Sequence, residues 1–278
     1  MKRIITVSLV LLMLAALLWA GYNLYREAAS DGTPPVISFD SDTISLSINA
    51  DSSALLAGVS ATDAEDGDLT LEVFIESISR KNSDGSVTVT YVVFDDDKNA
   101  AKATRKLFYT DYTPPVFSLS APLIGTVSNI SELAGLMHAT DCIDGDLSSV
   151  VKVTYLDRMT TSVGTYPVEF RVTNSLGDTE YLETELECAP AGFNNAEITL
   201  SDYLIYVQEG SSFDPVSYVS GYKRDGVEVT GADGLTISSG VNTSVPGVYA
   251  VSYIYDAQNS SSHTRLIVIV TGAEEASE

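Results

Sequence analysis

The chain has 278 residues, with 38 acidic against 15 basic side chains and a formal net charge of −23. A surface this anionic lacks the basic footprint that nucleic-acid binding requires, which excludes that class of partner. Two histidines and two cysteines make no zinc-ligand spacing, and neither a phosphate-binding glycine loop nor a nucleophile elbow occurs, so no enzyme is expected.

Met1-Lys2-Arg3 precede an apolar run from Ile4 to Ala20 that extends through Leu24. As a helix, residues 4–24 would span about 31 Å, the thickness of a bilayer's hydrocarbon core. The run exceeds the apolar region of a cleaved signal peptide, and Trp19, Tyr22 and Tyr25 stand where an interfacial aromatic belt would anchor its outer end. Residues 1–27 are therefore expected to form an uncleaved signal anchor, a single pass held in the lipid bilayer through residues 4–24. Lys2 and Arg3 would keep the N-terminus cytoplasmic and the remaining chain extracellular.

Three repeats follow, expected over 31–111, 112–190 and 191–272. Repeat one opens with Thr33-Pro34-Pro35-Val36 and repeat two with Thr113-Pro114-Pro115-Val116. The paired prolines fix φ and make a semi-rigid connector into a strand. The third junction, around Ala189-Pro190-Ala191, has lost the pattern. In repeat one Ile44-Ser45-Leu46-Ser47-Ile48 then alternates apolar and polar residues, as a half-buried strand does. An acidic loop follows: Asp63-Ala64-Glu65-Asp66-Gly67-Asp68 in repeat one, Asp141-Cys142-Ile143-Asp144-Gly145-Asp146 in repeat two. The loop is expected to join two strands, the second of them over Leu71-Glu72-Val73-Phe74-Ile75.

The strongest strand lies near the end of each unit. Val87, Val89, Tyr91 and Val93 correspond to Tyr166, Val168, Phe170 and Val172, and to Tyr249, Val251, Tyr253 and Tyr255. Such alternation reads as a central sandwich strand. Seven or so short strands per unit predict an all-β fold: three tandem immunoglobulin-like β-sandwiches preceded by one N-terminal transmembrane helix.

The order Thr-Pro-Pro-Val, then Ala-Thr-Asp-x-x-Asp-Gly-Asp-Leu, then Gly-x-Tyr-x-Val-x-Tyr resembles the bacterial surface protein Ig-like domain. Ala61–Thr70 and Ala139–Leu147 carry the acidic motif, and Gly247–Tyr253 carries the late one. Repeat three departs at the loop, with Tyr222 where Asp141 stands and Val227 where Asp146 stands. The resemblance implies tandem modules of exported Gram-positive proteins, placed at the bacterial cell membrane as spacers or adhesion modules. It implies no catalytic residues.

In a seven-strand sandwich the loops after the second and sixth strands meet at one end. That gathers Asp63, Glu65, Asp66 and Asp68 with Asp95, Asp96 and Asp97, and brings Asp31 near. Repeat two gathers Asp141, Asp144 and Asp146 with Asn174 and Asp178, near Asp111. Calcium is the candidate ligand for so many carboxylates outside a cell. The competing and preferred reading is a set of turns, with carboxylates capping backbone N–H groups and Gly67 and Gly145 at positive φ. An EF-hand is excluded, because the twelfth position holds Phe74 or Lys152.

Cys142 and Cys188 are expected at opposite ends of their sandwich, hence as free thiols. Tyr203, Tyr206, Tyr218 and Tyr222 make repeat three the place to seek a sugar-stacking face, although core packing explains such residues more simply. The sequence therefore reads as a membrane-anchored extracellular stalk, a spacer or adhesion module for a protein or glycan. The alternative is a calcium- or carbohydrate-binding surface protein.

Overall fold

A computed structural model describes residues 2–29, 32–126, 132–156, 162–189, 196–224, 227–229, 233–257 and 260–272. The chain forms two compact units that divide between Tyr112 and Thr113.

In the first unit, helix α1 (Lys2–Ala29) precedes repeat one. Its Ser8–Tyr25 stretch is long and apolar enough to cross a membrane, and none of it is buried. Repeat one contains β1 (Val36–Phe39), β2 (Thr43–Leu46), β3 (Val59–Asp63), β4 (Gly67–Asp68), β5 (Phe74–Ile78), β6 (Val87–Phe94) and β7 (Ala100–Tyr109). They form two sheets, β1-β3-β4 and β2-β7-β6-β5. β6 is central, as its alternation predicts, and Val87, Val89, Tyr91 and Val93 are no more than 1% exposed.

Two details depart from the expected layout. The strand after the connector splits, so that β1 pairs with β3 while β2 crosses to pair in parallel with β7. The acidic loop consequently follows the third strand rather than the second. The stretch expected as a strand from Leu71 begins instead as a 3-10 turn over Thr70–Glu72. Asp68 Oδ1 accepts from Thr70 N at 3.0 Å and Leu69 O accepts from Glu72 N at 3.0 Å, which closes the turn. Leu69 and Val73 point into the core while Leu71 is 99% exposed.

The second unit holds the other two repeats. Repeat two comprises β8 (Val116–Leu119), β9 (Ile124–Gly125), β10 (Met137–Asp141), β11 (Gly145–Asp146), β12 (Lys152–Leu156), β13 (Gly164–Thr173) and β14 (Thr179–Cys188). Repeat three comprises β15 (Ala196–Leu200), β16 (Leu204–Gln208), β17 (Val219–Arg224), β18 (Val227–Glu228), β19 (Leu235–Ser239), β20 (Gly247–Ala257) and β21 (Ser260–Thr271). Each repeats the two-sheet plan, including the parallel pairs β9–β14 and β16–β21. The architecture is thus three immunoglobulin-like sandwiches behind one apolar helix.

Repeat three has a buried core of its own, around Ile198, Val251, Tyr253 and Leu266, and part of it also packs into repeat two. Leu204 and Ile267 of repeat three belong to the buried cluster of Phe117, Met137, Phe170, Leu182 and Leu186 in repeat two. Polar contacts frame this junction. Phe117 N donates to the Tyr206 hydroxyl at 2.8 Å. His263 Nδ1 meets Glu187 Oε1 at 2.9 Å, and Arg265 Nη2 donates to Glu185 Oε2 at 3.1 Å.

A buried tyrosine in the central strand pins the turn that precedes the third strand. Tyr91 donates to Leu55 O at 2.7 Å, and Tyr253, at the same register of repeat three, donates to Pro215 O at 2.8 Å. Repeat two has Phe170 there, with apolar contact alone. Burial, with Tyr218 and Asp214 nearby, pushes the Tyr253 phenol up to about 12. A raised phenol favours the folded state below its unfolded value of about 10, and that contribution disappears as pH rises through about 12. Tyr253→Phe should cost about 1 kcal/mol at pH 7. The gap between wild type and variant should then narrow between about pH 10 and 12, which urea unfolding at stepped pH would register.

Candidate functional site

The acidic loop meets the turn after the sixth strand of its repeat, and the same lattice of hydrogen bonds recurs in both acidic repeats. In repeat one, Asp63 Oδ1 accepts from Glu65 N at 2.8 Å and Asp66 N at 3.1 Å. Asp66 Oδ2 then reaches across to accept from Asp96 N at 2.9 Å, tying the acidic loop to the turn after β6. That turn is organised by Asp95, only 4% exposed, whose two oxygens accept from Asn99 N and Nδ2, each at 2.7 Å.

Repeat two reproduces the pattern. Asp141 Oδ1 accepts from Ile143 N at 3.0 Å and Asp144 N at 2.6 Å, and Asp144 Oδ2 accepts from Ser175 N at 2.6 Å. Here the position of Asp95 is taken by Asn174, whose amide donates to Asp141 Oδ2 at 2.8 Å. Gly67 and Gly145 have φ of 78° and 72°, where an L side chain is strained. Asp68 and Asp146 accept from the first residue of the following 3-10 turns, and their hydrogen bonds to Thr70 and Ser148 hold both carboxyls below the ordinary range. Carboxylate repulsion is therefore offset by backbone N–H groups.

Among the described residues, no group of three or more His, Cys, Asp or Glu side chains is arranged to hold a metal ion. Glu65 supplies its backbone N–H to Asp63, and Asp97 lies within the turn over Asp95–Asn99. Asp31 lies outside the described residues. Asp111, expected near the second acidic loop, accepts within repeat one from Ser47 Oγ at 2.6 Å and Ile48 N at 2.8 Å.

Two expectations follow for these loops. Asp141→Ala should lower stability by about 1–2 kcal/mol, because it strips several donors of their acceptor, and a reduced urea midpoint would record it. With Asp63, Asp66, Asp95, Asp141 and Asp144 already accepting from backbone and amide donors, millimolar calcium should move the melting temperature by less than about 1 °C. A rise of several degrees that Asp63→Asn abolishes would show a metal role.

Cys142 and Cys188 are both free, the first partly exposed and the second fully buried. Of the four tyrosines considered as a sugar platform, Tyr203, Tyr218 and Tyr222 pack on the repeat-three core and Tyr206 is bonded to repeat two. Sequence reasoning missed a different aromatic arrangement. Tyr155, Glu169, Glu183, Glu185, Tyr249 and Arg265 line a cleft of about 550 Å³ in the second unit. Tyr155, Glu169 and Glu183 stand in register across β12, β13 and β14.

The fold and these loops define a class, a tandem β-sandwich protein with an apolar N-terminal helix. No protein-family model matches the chain. Among curated proteins it is similar to the pesticidal crystal protein Cry22Aa of Bacillus thuringiensis, at 31% identity over 154 residues. The match covers 52% of this chain and 20% of that protein, so the chain spans about a fifth of that relative's length. Among solved structures it is similar to CBM51-2 in complex with GlcNAc and INT domains from Clostridium perfringens ZmpB, with 18% identity, 53% of this chain, 26% of the other and a TM-score of 0.23. It is also similar to human CDH23 EC21-23, with 13% identity, 82% and 97% coverage and a TM-score of 0.20. Scores of this size add nothing to what the sheets themselves establish.

Proposed function

We propose that the chain is an exported bacterial surface protein of the Ig-like repeat type, anchored by α1 and acting as a spacer and interaction module outside the cell. The observation that carries this reading is the unburied apolar stretch Ser8–Tyr25 directly ahead of β-sandwich repeats. An apolar helix whose side chains the rest of the described chain leaves uncovered is at home in lipid. Lys2 and Arg3 orient its start toward the cytoplasm. The net charge of −23 keeps such a surface soluble. The proposal assigns no catalysis. Fractionation tests it: the full-length chain should stay with the membrane after alkaline extraction, and recovery in the soluble fraction would count against it.

A second reading, glycan binding, is favoured by the cleft lined by Tyr155, Tyr249, Glu169 and Glu183. Aromatic rings with hydrogen-bonding carboxylates beside them suit a sugar's apolar face and hydroxyls. Glycan-array binding by the wild type that Tyr155→Ala abolishes would support it.

A further inference from the structure

The repeats supply an internal control for surface residues, because the same backbone is built twice. Phe74 pairs with Val92 at the start of β5, and Lys152 pairs with Arg171 at the start of β12, each just ahead of a bulge. Phe94 pairs with Ala100 as Thr173 pairs with Thr179. Leu71 sits in the middle of the turn Thr70–Glu72 as Ser149 does in Ser148–Val150. Repeat two thus carries Ser149, Lys152, Arg171 and Thr173 where repeat one carries Leu71, Phe74, Val92 and Phe94.

The polar set shows that the fold has no need of apolar residues at these positions. In repeat one they remain outside: Leu71 is 99% exposed, Phe74 46% and Phe94 43%. The two phenylalanine rings stack, with centroids 6.1 Å apart, and Val92 is covered beside them. A pair of exposed stacked rings, with a fully exposed leucine on the preceding turn, costs solubility unless something covers it.

The surroundings indicate what does. Glu72 follows Leu71, and beyond Phe94 come the buried Asp95, then Asp96 and Asp97 ahead of a single cation, Lys98. The hydrogen bond from Asp96 N to Asp66 folds the acidic loop onto that same edge. Lys102, across from Val92, is paired with Glu76. An anionic rim repels anionic lipid, and a chain of charge −23 repels its own copies. Neither penalty applies to a cationic partner.

We propose that Leu71, Phe74 and Phe94 form a docking surface for a basic protein segment that carries an apolar anchor side chain. The proposal rests on the extracellular interaction module described above and names the face and the partner chemistry. The phenylalanine pair would receive the anchor, and Asp66, Glu72 and Asp96 would set the partner's charge.

The test uses the full chain in detergent and a fluorescein-labelled dodecapeptide of four Lys-Phe-Ser units, read by anisotropy. The variant Leu71→Ser, Phe74→Thr, Phe94→Thr changes no charge and brings in polar residues of the kind repeat two folds with. It should bind the peptide at least about tenfold more weakly than wild type. A Lys-Ser-Ser counterpart should bind both proteins equally weakly, and a Glu-Phe-Ser counterpart neither. Equal binding of the Lys-Phe-Ser peptide by variant and wild type would overturn the proposal. So would a dimer in sedimentation that the triple variant dissolves, which would make a second copy the occupant. Quenching of a bimane at Leu71→Cys by brominated lipid in reconstituted vesicles would make lipid the occupant. Each of these results leaves membrane fractionation unaffected, so failure of this surface is distinguishable from failure of the anchored-module reading.

Discussion

Leu204→Ala, a substitution in repeat three, is expected to destabilise repeat two as well, by about 2–5 kcal/mol. Leu204 is 7% exposed and its neighbours in the cluster include Phe117, Phe170 and Leu186 of repeat two. Truncation would leave a cavity lined by both repeats, so one unfolding transition for residues 113–272 should move as a whole. Leu107→Ala, equally a core truncation but in repeat one, should shift only the transition of the first unit. Calorimetry suits the measurement, because the single tryptophan lies in α1 and does not report on the sandwiches. Two separate transitions in the second unit, with Leu204→Ala lowering one of them, would mean that repeats two and three fold independently.

The second large effect belongs to α1. Leu12 and Leu17 are 71% and 66% exposed within the apolar stretch. On insertion scales arginine near a helix centre costs about 2.5–3.5 kcal/mol and leucine contributes about −0.5, so Leu12→Arg with Leu17→Arg should cost about 6–8 kcal/mol. The double variant should leave the membrane pellet for the soluble fraction while its sandwiches keep wild-type melting. Retention in the membrane after alkaline extraction would show that something other than α1 holds the chain there.

Much of this architecture was legible because short-range chemistry determines it. The period-two alternation of Val87 to Val93 placed β6 at the centre of its sheet, since a strand buried on one face has no other way to pattern its side chains. The acidic loops were legible too: an Asp followed two and three residues later by backbone donors, with glycine at the positive-φ position, is a local solution. Their meeting with the β6–β7 turn followed from sandwich topology. Leu71 was misread because the five residues from Leu71 to Ile75 fit a strand by apolar count, while Asp68 capping Thr70 turns the chain before the strand can start. The packing of Leu204 and Ile267 against repeat two was missed although β21 announces it. Leu266-Ile267-Val268-Ile269-Val270 is apolar on both faces, whereas a sandwich strand open to water on one side would place polar residues at 267 and 269. The cleft beside that junction could not be foreseen, because its lining comes from strands of two repeats whose packing no local pattern encodes.

The central claim, that the repeats lie outside the cell behind a membrane anchor, is tested most directly by labelling intact bacteria. With Cys142→Ser as background, Val227→Cys places a thiol at a position that is 68% exposed and outside the proposed docking surface. A membrane-impermeant maleimide should label it on intact cells as fully as after lysis. Labelling only after lysis would place the repeats inside and contradict the account.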